Sequence, residues 1–400
     1  MITKCFGKDI TTTQAGPATG REMPVPPAIE VAFSDTILSI APAPEAVDSY
    51  LAPGWIDIQV NGFAAVDYND PRTPGEEIAR SIHALFSTGV TRFYPTVITG
   101  SPERMEGALR NLARARESLG EGEAIEGFHV EGPHISAEDG PRGAHPRPWV
   151  RPPDLEEFRR WQEAAAGRVR IVTLAPEWVG APAYIEKITA EGVVAAIGHT
   201  QATGAQIADA VSAGATLSTH LGNGAHSVLR RHPNYIWEQL AEDRLMADFI
   251  VDGIHLDASF LKVALRAKGI ERSVLVTDAV TPAGAAPGRY RVGELEVDMT
   301  PDGRVVLAGQ DRLAGSGLRM DRGIENLVRM VGMPLANAVR MATTNAARAG
   351  NVAGRAQGLA AGDRADLVEF RFDPEGPRIE VLATWVSGRR VFARDRDAVF

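Results

Sequence analysis

Eight short, almost wholly apolar runs recur through the middle of the chain and constrain its fold more than any other feature. They occupy residues 55–60, 92–98, 125–130, 169–175, 193–198, 216–219, 246–251 and 273–277. A run with so little polar alternation predicts a strand buried on both faces. Helical patterns lie between many of them, at 74–88, 102–119, 153–165, 203–213 and 257–268. Proline near the start and glycine just past the end punctuate several of these helices, as Gly89, Gly214 and Gly269 do here. Strand–helix alternation predicts a parallel sheet, and eight such units over about 250–300 residues predict a closed (β/α)8 TIM barrel.

The two ends read differently. Residues 29–33 and 36–40 are short alternating runs among prolines, and 365–372, 378–386 and 389–393 repeat that style at the other end. The expectation is a small β-sandwich domain built from both chain ends, residues 1–53 and 357–400, beside a barrel of residues 54–356. Strand patterns at 288–297 and 304–307, joined by Pro301-Asp302-Gly303, predict a β excursion after the eighth barrel strand.

The polar residues at the strand ends carry the chemistry. The first run holds Asp57 and Gln59 and is followed by Asn61. The third ends His129-Val130-Glu131, the fifth leads into His199, the sixth into His220, the seventh into Asp252 and His255, and the eighth into Asp278. In a barrel these ends form one rim, so groups far apart in sequence converge. A Glu, two His and an Asp suit a metal-assisted hydrolase, because three protein ligands leave one position open for water. Taken singly, each has a plainer reading. A histidine after a buried strand serves as a hydrogen-bonded core residue, and an aspartate there caps the next helix.

Ten stretches together resemble the amidohydrolase superfamily and, within it, the N-acetylglucosamine-6-phosphate deacetylase family. They are LAPGWIDIQVNG (51–62), GFHVEGPHI (127–135), GAH (143–145), AIGHT (196–200), STHLGN (218–223), DGIHL (252–256), LVTDA (275–279), LAGSGLRM (313–320), MATTNAAR (341–348) and GLAAGDRADLV (358–368). The resemblance implies hydrolysis of the acetamide of a phosphorylated N-acyl amino sugar. It implies one divalent metal ion per chain, Zn²⁺ first among the candidates, held by Glu131, His199 and His220. Asp278 would be the general base and acid, and His145 would polarise the scissile carbonyl. Ala144, His145, Asn223, Gly224, Leu313, Ala314 and Gly315 would line the substrate. Arg231 and His255 would bind its phosphate, a task that in relatives can fall to the neighbouring subunit of a homodimer.

Many amidohydrolases carry His-x-His where this chain has Gln59-Val60-Asn61. Neutral amides are poor zinc ligands beside imidazole, so Gln59 and Asn61 mark a vestigial second-metal position. The loop after His220 also departs from the family. Gly222-Asn223-Gly224-Ala225-His226 stands where an aromatic residue and then Asn-Ala-Met are usual, and His134 replaces a hydrophobic residue. That leaves two substrate classes open beyond the phosphorylated acetylglucosamine: another N-acyl amino sugar, or an N-acyl amino acid. A catalytically dead binding barrel is the remaining alternative, and the intact Glu/His/His/Asp set argues against it. His134 and His226 read as exposed loop residues without a role.

The net charge of −9 without a long basic tract argues against a nucleic-acid surface. It also means that an anionic substrate needs local cations. Arg231, beside Arg230 and His232, reads equally as a solvated basic loop, and His255 as a cap of the helix after Asp257. The single cysteine, Cys5, precludes an internal disulfide, and no apolar run reaches membrane-spanning length. The expectation is a cytoplasmic protein that binds neither membrane nor nucleic acid.

Overall fold

The computed structural model describes residues 2–11, 26–355 and 358–395. Each of the eight apolar runs overlaps a strand: β1 (Trp55–Val60), β2 (Val90–Ile98), β3 (Phe128–Glu131), β4 (Val169–Leu174), β5 (Val194–Ile197), β6 (Leu217–Ser218), β7 (Met246–Ile250) and β8 (Ser273–Val276). They pair in sequential order, all parallel. The seam between β8 and β1 is drawn together just past the strand ends. There Val60 pairs in parallel with Ala279, and the Asn61 N–H donates to the Ala279 carbonyl at 2.7 Å. The result is the expected TIM barrel, with nearly every strand residue buried because helices cover the outside and side chains fill the inside.

The covering helices are α1 (Gly75–Phe86), α2 (Pro102–Ser118), α3 (Leu155–Ala164), α4 (Ala181–Ala190), α5 (Gly204–Ser212), α6 (Tyr235–Ala241), α7 (Ala258–Lys268) and α8 (Met320–Asn326). Their starts are written locally. Ser101 caps α2, Asp257 accepts the Phe260 N–H at 2.6 Å at the start of α7, and Thr203 with Gln206 forms a reciprocal capping box on α5. Asp257, not His255, is therefore the cap of α7.

The β excursion differs in one detail from the single strand expected over 288–297. Gly293, at φ 59°, turns the chain back, so Gly288–Val292 and Leu295–Met299 pair as a hairpin. Val305–Leu307 adds a third strand.

Strands from both ends form one seven-stranded sheet. Its order is Arg389–Ala393, Arg378–Val386, Leu367–Asp373, Tyr50–Pro53, Thr3–Asp9, Ala28–Phe33 and Ile37–Pro42. Tyr50–Pro53 joins the two ends, antiparallel to Leu367–Asp373 and parallel to Thr3–Asp9. A buried ionic knot ties this sheet to the barrel. Asp366 accepts from Arg92 Nε at 2.5 Å, and Arg355 and Arg364 also contact its carboxylate. The boundary expected at residue 357 lies outside the described residues.

Candidate active site

Glu131 ends β3, while His199 and His220 each lie two residues past the end of β5 and β6. All three are buried. Glu131 Oε1 lies 3.1 Å from His199 Nε2 and 2.8 Å from His220 Nε2, and one ligand atom from each residue falls within 4.8 Å of the others. His199 Nδ1–H donates to the Pro141 carbonyl at 2.8 Å, which leaves Nε2 bare toward the carboxylate. Two unprotonated acceptors facing one another call for a cation between them, so this donor set fits a divalent metal. Without one, charge is shared with protons. Burial opposes ionisation of Glu131, but the two imidazoles outweigh it and hold the carboxyl well below its usual range. Burial also opposes a charge on His220, yet Glu131 raises it to about 9.

The backbone is strained where these groups leave their strands. His199, His220 and Asp278 all have positive φ, at 50°, 30° and 48°. Non-glycine residues visit this region rarely and at a cost, and such strain clusters at functional sites. Glycine solves the matching contact from the other side: a Cβ on Gly224 (φ 54°) would lie 2.6 Å from His199 Nδ1.

Asp278 follows β8 and faces the amides of the first strand across the seam. Asn61 Nδ2 donates to its Oδ1 at 2.7 Å and Gln59 Nε2 to the same oxygen at 3.1 Å. Burial first, and the charge of Glu131 second, push the Asp278 carboxyl up to about 6. Beneath it, Asp57 accepts the Thr277 hydroxyl at 2.6 Å, and burial raises that carboxyl to about 7. His129 lies deeper in the barrel. Its Nδ1–H donates to the Ile58 carbonyl and its Nε2 accepts from Thr173, so it serves the interior.

His145 is buried with its ring centroid 4.4 Å from that of His199. Burial, then the neighbouring His199, lowers its pKa to about 3, so the ring is neutral. Its Nδ1 lies 2.8 Å from the Thr99 hydroxyl, a partner that sequence reading missed. If the hydroxyl donates, Nε2 carries the proton.

These groups open on a cavity of about 570 Å³ lined by Glu131, His199, His220, Asp278, Asn61 and His145. Ala144, Asn223, Gly224, Leu313, Ala314 and Gly315 also line it, as does His255, whose Nδ1–H donates to Asp252 at 2.6 Å. Arg231 does not: it is exposed and absent from the cavity wall of its own chain, because the segment after Ser227 runs out over the surface. The cation on the wall is instead Arg312. His226, expected on an exposed loop, is half-buried on the wall with Nδ1 3.0 Å from the Tyr235 hydroxyl. His134, also expected to be exposed, is fully buried between Trp161 and Tyr184.

Comparison with known proteins agrees with this geometry. The amidohydrolase family model matches residues 50–391. N-acetylglucosamine-6-phosphate deacetylase of Bacillus subtilis is 35% identical over 348 residues, 86% of this chain and 85% of that protein. N-acetylgalactosamine-6-phosphate deacetylase of Shewanella sp. is 33% identical over 86% of this chain and 84% of its own length. Among solved structures, a variant of N-acetyl-D-glucosamine-6-phosphate deacetylase from Mycobacterium smegmatis, in complex with N-acetyl-D-glucosamine-6-phosphate, superposes with a TM-score of 0.84. It is 33% identical, with 97% of this chain and 99% of that one covered. With a barrel closed at the β8–β1 seam, a Glu/His/His cluster on its rim and a family match over most of its length, the chain belongs to the amidohydrolase family.

Proposed function

We propose that the protein hydrolyses the acetamide of N-acetylglucosamine-6-phosphate to glucosamine-6-phosphate and acetate. Glu131, His199 and His220 would hold one divalent ion, Zn²⁺ by the preference of an imidazole-rich set. The observation that carries this reading is the meeting of three converging ligand atoms, a buried carboxylate and a neutral imidazole in one cavity. The ion supplies Lewis acidity, easing deprotonation of water near neutral pH and polarising an amide carbonyl.

The chain's own groups do the rest. Asp278 presents Oδ2 as a base, because the amides of Gln59 and Asn61 engage Oδ1. It takes the proton of the attacking water, and the new C–O bond forms as the carbonyl carbon becomes tetrahedral. It then returns the proton to the amine nitrogen as the C–N bond breaks. His145, neutral and oriented by Thr99, donates from Nε2–H to the oxygen on which charge develops. Asn223, Gly224 and the Leu313–Gly315 segment hold the sugar.

Residues 54–356 form the hydrolase barrel in this reading, and the protein works in the cytoplasm as a homodimer. The buried lone Cys5 suits a reducing compartment, and exposed Arg231 would reach an anion only in a partner copy's cavity. A second reading, N-acetylgalactosamine-6-phosphate as substrate, is favoured by the 33% identity to a deacetylase of that name and by the altered Gly222–Ala225 loop.

Acetate release by the metal-loaded enzyme tests the choice. Both 6-phosphates and their unphosphorylated sugars are compared by kcat/KM. The first reading expects N-acetylglucosamine-6-phosphate to lead; a lead for the galactosamine epimer selects the second, and no release from any of the four rejects both.

A further inference from the structure

We propose that Asp248 is the positioning residue of His220. One of its carboxylate oxygens holds the His220 main chain, and the other fixes the proton of the His220 ring on Nδ1, so that Nε2 is free for a divalent ion. This rests on the reading above that Glu131, His199 and His220 hold such an ion. Asp248 lies on β7 and is fully buried. Ser218 on β6 pairs with Ala247 on β7, so Asp248 falls one step further along, beside the segment that carries Thr219 and His220 out of the sheet.

Two hydrogen bonds tie Asp248 to that segment. Its Oδ1 accepts the His220 N–H at 2.5 Å, and its main-chain carbonyl accepts the Leu221 N–H at 2.9 Å. His220 sits at φ 30°, a conformation that a non-glycine residue adopts at a cost, so this clamp acts where the backbone most needs one. A clamp alone accounts for only one carboxylate oxygen. The other, Oδ2, is buried and has no hydrogen-bond partner among the described residues, and no described arginine or lysine pairs with Asp248.

His220 carries the complementary group. Its Nε2 faces Glu131 Oε1 at 2.8 Å, while its Nδ1 is buried with no partner among the described residues. The neighbouring ligand is better provided, since His199 Nδ1–H donates to the Pro141 carbonyl. An imidazole that binds a metal through Nε2 keeps its proton on Nδ1, and that N–H calls for an acceptor. The residue already bonded to the His220 main chain has one to spare. The charges match as well. A buried carboxylate without a cation is costly, and a divalent ion held by His220 supplies the missing positive charge.

Asp248→Asn separates the clamp from the ring contact, because Asn has a single acceptor oxygen where the two tasks need two. The test measures Zn²⁺ affinity by chelator competition, and Tm of the metal-free protein, for the wild type and Asp248→Asn. The variant should bind Zn²⁺ about 10- to 100-fold more weakly, while its metal-free Tm stays close to that of the wild type. Equal affinity overturns the proposal. So does a loss of affinity that comes with a matching fall in metal-free Tm, which would make Asp248 a structural clamp only. If Asp248→Asn does not fold, the crystal structure of the zinc-loaded wild type decides. An Asp248 carboxylate oxygen within hydrogen-bonding distance of His220 Nδ1, directly or through one water, upholds the proposal, and a wider separation overturns it. A wild type that takes up no Zn²⁺ at all refutes the metal-site reading itself, and the proposal with it.

Discussion

Asn61 donates its side-chain amide to Oδ1 of Asp278 at 2.7 Å, across the seam where the last barrel strand meets the first. The residue that marks a missing metal ligand is thus the orienting partner of the proposed base. Gln59 shares the same oxygen. The two amides fix which carboxylate oxygen stays available for a proton.

The first prediction concerns pH. A base must be ionised to act, and the Asp278 carboxyl is pushed up to about 6 by burial and then by Glu131. Activity is therefore lost as pH falls through that value; a bound cation, which favours the carboxylate, moves the inflection lower. The Asn61 hydrogen bond also favours the ionised form. Asn61→Ala should shift the acid limb of kcat/KM upward and lower kcat by about 10-fold, given the roughly 10²–10⁴-fold worth of general base catalysis. A pH–rate profile that superposes on the wild type contradicts this.

The second concerns the metal. Three converging ligands and no imidazole on β1 predict one tightly bound divalent ion per chain by elemental analysis. Removing it with a chelator should abolish activity and lower Tm, because an ion that binds the folded state stabilises it. His199→Ala and His220→Ala should lose ion and activity together. Two tightly held ions per chain would contradict the assignment of Gln59 and Asn61.

The third concerns Thr99. Its hydroxyl lies 2.8 Å from His145 Nδ1, and Thr99→Val keeps the shape but removes that bond. The imidazole then loses its fixed tautomer. The variant should lower kcat by about 10- to 100-fold with little change in KM, a fraction of the roughly 10²–10³-fold effect of deleting an oxyanion donor. Thr99→Ser should restore most of the rate. A kcat for Thr99→Val equal to that for Thr99→Ser shows that the hydroxyl has no such role.

The barrel was legible because its strands, buried on both faces, lie in short runs that are mostly apolar. The helices α4 and α6 were not. One opens on Ala181-Pro182-Ala183, with a short stripe of Ala181, Tyr184, Ile185 and Ile188, and the other has only seven residues. Thr3–Asp9 was missed because its partners, Ala28–Phe33 and Tyr50–Pro53, are distant and only pairing reveals it. In the site, Glu131, His199, His220 and Asp278 could be read because each lies at or just past the end of a strand. The bonds of Asn61 to Asp278 and of Thr99 to His145 could not, since they join neighbours in space alone.

The most direct test of the central claim is acetate release and metal content of Asp278→Asn beside the wild type. Asp278 is not among the three converging ligands, so the variant should keep one ion per chain. An amide cannot accept the proton of water, so kcat on N-acetylglucosamine-6-phosphate should fall by about 10²–10⁴-fold or more. A variant that keeps its metal and turns over near the wild-type rate would contradict Asp278 as the base and, with it, this account of the reaction.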